Sequence, residues 1–240
     1  GFMSQIAHLV NYFKNKNVEL FEICDLDESL ANNVKKKFNF TGKSFTDFKK
    51  MSINETDGVV IIVQRKLISP IVKYFLSRNC NVFSEKPHAY SVKEYLNNKK
   101  YQKKLWLKGF TRRHDHAVKY LKQNFKKINN QLGKLNSVMH NASAGNSYLG
   151  AKHYVKPFIK KEIKSKMSKF PSFLPKKYYK LYDAHINSAI HSVDLFDFFK
   201  LNINKIFYSE ISNKSFLCTF NCTYLKSNAN ITAQIFLSSS

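Results

Sequence analysis

Arginine is scarce in this chain of 240 residues, although the formal net charge is +24. Lysine and arginine together number 40 against 16 acidic residues, yet the arginines are only Arg65, Arg78, Arg112 and Arg113. Arginine supplies the planar fork that grips base edges and phosphates, so its shortage argues against specific nucleic-acid recognition. The lysines are spread along the chain among many asparagines, which reads as compositional bias rather than a designed patch. The densest run, KPFIKKEIKSKMSKFPSFLPKKYYK over 156–180, could still attract an anionic substrate. Metal-ligand spacing is absent as well. Cys24, Cys80, Cys218 and Cys222 are scattered, and no histidines are placed to complete a zinc site, so reduced thiols in a cytoplasmic protein and no metal are expected. No apolar run reaches the roughly 18 residues of a membrane span. The opening GFMSQIAHLV has neither a basic n-region nor a small-residue cleavage site, so no secretory leader is expected there. Internal repeats and low-complexity linkers are not evident.

What remains is globular composition: 43% hydrophobic and 15% aromatic residues, on a chain long enough for one large or two small domains. The first half alternates helix and strand signals. Ile6, Leu9, Val10 and Phe13 give 4–14 a helical spacing, VELFEIC reads as a strand ending at Asp25, and 28–38 as a helix. GVVIIV is a continuous apolar run suited to a parallel strand buried on both faces. A helix over 69–77, a short strand NVF, a helix over 91–99 with Ser91 and Glu94 spaced as a capping box, and the strand KLWLKGF follow. This alternation implies right-handed crossovers and a doubly wound α/β sheet, with ligands beyond the strands' carboxyl ends. After a helix near 115–125 the pattern changes to LNSVMHNAS, a long basic and aromatic loop, a helix over 186–199, and three strand-like runs without helices between them. Those runs indicate a mostly antiparallel open sheet. The expected domains are therefore 1–108, dinucleotide-binding, and 109–240, α+β. Both ends are expected to be cut: the chain opens directly into a turn and helix where such a sheet would have its first strand, and AQIFLSSS stops within a strand.

Three stretches carry candidate chemistry. GFMSQIAH followed by a strand ending in Asp25 has the layout of a dinucleotide site, with the turn at Gly1, Phe2 and Met3 approaching a pyrophosphate and Asp25 binding ribose hydroxyls. Asp25 could equally be a loop aspartate or a helix cap. NVFSEKPHAY puts Glu85, Lys86 and Pro87 at a strand's carboxyl end. A lysine there can be desolvated and lowered in pKa to serve a substrate hydroxyl, with the glutamate orienting it and the proline fixing the backbone. The alternative is a solvated lysine in a turn. NSAIHSVDLFDFF places Asn187, His191 and Asp194 on one helical face, where the histidine could act as general base; otherwise it packs or caps inside the helix.

Together these stretches, with KGFTRRHDHAVKYLK and LGKLNSV, resemble the Gfo/Idh/MocA oxidoreductases over about four-fifths of the chain. The resemblance implies an N-terminal Rossmann-type dinucleotide-binding domain followed by an α+β domain whose mostly antiparallel open sheet carries the substrate site and often an oligomer interface. It implies Lys86 as catalytic lysine, also touching cofactor and substrate beside Glu85, and His191 as general base or substrate-positioning histidine. Asn187 and Arg112 would contact substrate, Arg113 would share Arg112's polar stretch, and Asp194 and Pro87 would support the site. Val63, after the VVI strand, would contact the cofactor. The acidic Asp25 favours NAD over NADP. The activity implied is hydride transfer between nicotinamide and a hydroxyl of a sugar, cyclitol or nucleotide sugar, in a cytoplasmic dimer or tetramer formed through the second sheet. Lys152, His153, Tyr154, Tyr178 and Tyr179 would suit a phosphorylated or nucleotide-linked sugar. The chain departs from the family pattern at Asn187, where aspartate is frequent, and at Val63-Gln64-Arg65. The same scaffold also serves as a non-catalytic sensor and as an NAD-assisted glycoside hydrolase.

Overall fold

A computed structural model describes residues 1–144, 154–156, 167–212, 215–225 and 228–239. They divide into two units. Gly1–Lys108 forms the first and takes in the described residues 154–156 and 167–169, while Gly109–Ser147 and Phe170–Ser240 form the second. Among the described residues no helix is long and apolar enough to cross a membrane.

In the first unit a π-helical segment, Ser4–Leu9, runs into α1 (Val10–Tyr12). The parallel strands follow: β1 (Glu22–Cys24), β2 (Lys43–Phe45), β3 (Val59–Ile61), β4 (Val82–Ser84) and β5 (Trp106–Lys108). They form two sheets, β1–β2 and β3–β4–β5, rather than the single sheet expected, because no described strand bridges β1 and β3. β2 carries only KSF, too short and polar to read as a strand alone; its ladder to β1 makes it one. Helix α2 (Glu28–Lys37) is opened by Asp27, whose side chain accepts the Leu30 N–H, and closed by lysines that complement the helix dipole. Leu30, Ala31 and Val34 recur on its buried face.

Helix α3 (Arg65–Leu76) begins four residues earlier than its apolar periodicity alone suggests and contains Pro70. Proline has no N–H to return to the carbonyl four residues back, which would leave the Lys66 oxygen without its helical donor. The Ser168 N–H fills that role at 2.7 Å. A residue 102 positions away in sequence is thereby fastened to α3. The same Ser168 donates its hydroxyl to Glu94 at 2.7 Å. Glu94 sits in α4 (Val92–Lys99), where Ser91 accepts its N–H as cap while the Glu94 carboxylate accepts from the Tyr90 N–H. Ile68, Val72 and Phe75 pack with Ile61, Val82 and Trp106 into the unit's core.

The second unit holds α5 (His116–Leu132), β6 (Ser137–Ala144), α6 (Tyr179–Phe198), β7 (Leu201–Ile211), β8 (Ser215–Tyr224) and β9 (Ala229–Ser239). The sheet order is β6–β9–β8–β7; β6 runs parallel to β9 and the other pairs are antiparallel. Alternate residues Cys218, Phe220, Cys222 and Tyr224 of β8 and Ile231, Ala233 and Ile235 of β9 face a core closed by Phe196 of α6 and Phe125 of α5. The opposite positions are largely polar: Asn204 bonds to Asn221 and Thr223, and Gln234 to Thr219. β7 shifts register twice, and its Ile206, Phe207 and Tyr208 are exposed.

Candidate active site

In the first unit, parallel pairing brings several predicted residues to one sheet end. Ile61 is in register with Ser84, so Val63 and Lys86 leave the three-stranded sheet at matching positions. The Glu85 N–H continues the ladder to the Ile61 carbonyl at 3.0 Å. Asp25 leaves β1 at its carboxyl end, and its N–H still bonds to the Phe45 carbonyl at 3.1 Å. The carboxylate of Asp25 accepts from the Asp27 N–H at 3.1 Å and lies 3.2 Å from the Gly1 amine. The helix cap is therefore Asp27, and Asp25 lies beside Gly1; the expected turn over Gly1, Phe2 and Met3 is instead the start of the first helix, with Phe2 and Met3 already helical.

Lys86 is half-buried, and the Lys86–Pro87 peptide bond is cis. Burial pulls the Lys86 ammonium below its ordinary pKa; the Glu85 carboxylate opposes this, and the Arg65 guanidinium at the start of α3 adds to it. Glu85 feels burial too, which pushes its acid upward. The bond and charge of His8, with the Lys86 N–H and charge, outweigh that and hold Glu85 below the usual carboxylate range. His8 Nε2 lies 2.9 Å from Glu85 Oε1, and His8 Nδ1 lies 3.2 Å from the Tyr12 hydroxyl. The other carboxylate oxygen accepts the Lys86 N–H at 3.3 Å. The sequence alone does not single out His8 and Tyr12; they lie one helical turn apart, the spacing that puts two side chains on one face. Behind them His88 is buried. Its Nδ1 lies 3.3 Å from the Ser84 hydroxyl, which also accepts the Trp106 indole N–H at 3.0 Å. Burial, with the Lys108 charge, pushes His88 down to about 4.

In the second unit α6 carries Asn187, His191 and Asp194. Asp194 is buried, and both its oxygens are held by Arg113, from Nε at 2.7 Å and Nη2 at 2.5 Å. Arg113 also reaches Asp197 at 2.9 Å. The hydrogen bonds to Asp194 raise the Arg113 pKa against the effect of burial. Asp194 thus anchors α6 to the turn Thr111–His114. Arg112 is exposed, and its charge, after burial, lowers the pKa of His140 on β6. Tyr179, at the start of α6, stacks on Phe170 with ring centres 4.0 Å apart. Tyr154 belongs to the first unit and packs edge-on against Phe2 at 4.6 Å. Lys152 and His153 lie outside the described residues.

A dinucleotide suits what the first unit presents. The amino-terminal end of the first helix, where backbone N–H groups are left for a pyrophosphate, lies at Gly1, Phe2 and Met3. Asp25 stands beside that helix end as an acceptor, while Val63 and Lys86 mark the neighbouring strand ends. Residues 1–107 match the family described as oxidoreductase, NAD-binding Rossmann fold, under the family name Gfo/Idh/MocA. This stretch, a little under half of the chain, is similar to that family. Its parallel strands and helices accord with the NAD-binding Rossmann fold that this family's description gives.

Solved dehydrogenase structures extend the likeness to both units. The myo-inositol dehydrogenase of Lactobacillus casei, in complex with NAD(H) and myo-inositol, is 17% identical at a TM-score of 0.70, covering 100% of this chain and 65% of that one. The scyllo-inositol dehydrogenase of the same organism, with NAD(H) and scyllo-inositol, is 15% identical at 0.69, covering 97% and 65%. The WlbA dehydrogenase of Thermus thermophilus, with NAD and α-ketoglutarate, is 16% identical at 0.64, covering 99% and 71%. At these identities the likeness is one of fold. The chain spans 65% of the length of both inositol dehydrogenases. No curated protein matches the chain in sequence.

Proposed function

We propose that this chain is a Gfo/Idh/MocA-type, NAD-dependent dehydrogenase acting on a secondary hydroxyl of a cyclitol, sugar or nucleotide sugar. The observation that carries the reading is Lys86: a half-buried ammonium at the carboxyl end of β4, lowered in pKa and fixed beside Glu85. A lysine so poised can bind a substrate hydroxyl as donor and take its proton as oxidation proceeds. NAD, when bound, supplies the hydride acceptor. Gly1, Phe2 and Met3 would lie against its pyrophosphate, Asp25 would accept from its ribose, and Val63 and Glu85 would border the nicotinamide end. Asp25 as an acceptor favours NAD over NADP, since a phosphate on the ribose would meet a like charge. His191 would share the hydroxyl proton, with Asn187 and Arg112 orienting the substrate and Asp194 and Pro87 holding the framework. The inositols bound by the two inositol dehydrogenases support a cyclitol first among these substrates. A homo-oligomer through the second unit's sheet accords with the exposed Ile206, Phe207 and Tyr208, and a cytoplasmic setting with the free cysteines.

A sensor without turnover is the second reading, and α6 gives its ground. Position 187 is an amide, and Arg113 occupies both oxygens of Asp194, three residues beyond His191. Absorbance at 340 nm with NAD and a panel of cyclitols, sugars and nucleotide sugars separates the two. A substrate-dependent rise supports the dehydrogenase; NAD binding with a flat trace across the panel supports the sensor.

A further inference from the structure

His8 stands outside every role given so far, yet it touches the residue next to the candidate catalytic lysine. An ionised carboxylate only accepts hydrogen bonds, so the 2.9 Å contact with Glu85 Oε1 places the proton of neutral His8 on Nε2. Nδ1 is then an acceptor, and the Tyr12 hydroxyl 3.2 Å away is the donor that fits. The side chains of His8 and Glu85 are 13% and 15% exposed, so little water competes for these bonds. Glu85 Oε2 is engaged as well, by the Lys86 N–H at 3.3 Å. Both oxygens of Glu85 are thus held by groups other than the lysine ammonium.

We propose that His8 is a positioning residue for Lys86: by gripping Oε1 of Glu85, with Tyr12 fixing its tautomer, it keeps that carboxylate from closing on the neighbouring ammonium. A carboxylate freed beside a half-buried lysine would form a tight ion pair with it and hold it protonated. Such a lysine accepts a substrate proton poorly. Among the described residues, other charged groups that act on this cluster are Arg65 at the start of α3, which disfavours the ammonium, and His88 with Lys108 of β5. None of these occupies Glu85 Oε1 in the place of His8. The meaning for turnover rests on the dehydrogenase reading; the arrangement itself does not.

The test is a carbon-13 NMR titration of the full chain with lysine labelled at Cε, the Lys86 signal being the one lost in Lys86→Arg. His8→Ala is expected to raise the Lys86 midpoint by about one pH unit, roughly tenfold in its proton affinity. His8→Gln keeps an N–H donor toward Glu85 and is expected to stay within a few tenths of the wild type. Glu85→Gln removes the carboxylate's support and is expected to lower the midpoint, which keeps the test decisive should His8→Ala not fold. A midpoint unmoved or lowered in His8→Ala, equal shifts in the alanine and glutamine variants, or no fall in Glu85→Gln would overturn the proposal. Because the titration needs no substrate, shifts as expected in a chain that transfers no hydride would defeat the dehydrogenase reading and leave this one standing.

Discussion

Arg113 clasps Asp194 through two nitrogens, Nε at 2.7 Å and Nη2 at 2.5 Å, and so ties α6 to the turn Thr111–His114 within the second unit. The aspartate side chain is only 3% exposed, whereas that of Asp197, the guanidinium's other partner, is 75% exposed. Removing one member of a buried pair strands the other, while a solvated pair contributes little. Asp194→Ala is therefore expected to cost about 2–4 kcal/mol in urea unfolding of the second unit, and Asp197→Ala less than about 0.5 kcal/mol. Equal losses for the two variants would contradict the anchor.

The buried His88 gives the first unit a pH dependence of known sign. Its folded-state pKa of about 4 lies below its ordinary 6.5, so the folded state binds the proton less readily than the unfolded chain. The stability this confers is complete above about pH 6.5 and drains as pH falls toward 4, by about 3 kcal/mol in all. Unfolding midpoints measured across that window should fall with acidity in the wild type and much less in His88→Asn. A wild-type midpoint that held level from pH 6.5 to 4 would refute the buried, neutral histidine.

On the dehydrogenase reading, Asp25 beside Gly1 would carry the cofactor choice. A hydrogen bond from a ribose hydroxyl to a carboxylate contributes about 1.5–3 kcal/mol, so Asp25→Ala should weaken NAD binding by roughly ten- to a hundredfold. The same change removes the charge that repels a ribose phosphate, so the preference for NAD over NADP should narrow. Calorimetric titration of both dinucleotides reads both effects. Unchanged NAD affinity would exclude Asp25 from the ribose.

How much of this was legible beforehand depended on whether the signal was local. The helices announce themselves through apolar spacing and caps, and α4 begins at the Ser91 cap that the capping-box spacing picks out. Periodicity alone started α3 at Ser69, because Arg65 and Lys66 are polar and Pro70 reads as a breaker; Ser168, remote in sequence, is what satisfies the carbonyl that proline exposes. β2 depends on its ladder to β1 rather than on its own residues, and the parallel pairing of β6 with β9 joins segments about 95 residues apart. Register is not written in a short strand's composition.

The candidate site divides in the same way. Lys86 stands out because a charged residue between an apolar strand and a proline is locally odd, and Asp194 because it shares a helical face with His191. Their partners could not be read off. Arg113, rather than Arg112, holds Asp194, a choice fixed by which way the turn Thr111–His114 aims each side chain. Asp194, which shares a helical face with His191, thereby anchors α6 to that turn. His8 meets Glu85 across 77 positions of sequence, a pairing that only the packed helix and strand create.

The measurement that tests the central claim most directly is turnover and NAD affinity side by side in Lys86→Ala, on a substrate that supports NADH formation by the wild type. If Lys86 handles the hydroxyl proton, kcat should fall by roughly a hundredfold or more, while the NAD dissociation constant stays within a factor of about three. Turnover within about tenfold of the wild type, with NAD binding intact, would contradict the role given to Lys86 and the reaction built on it.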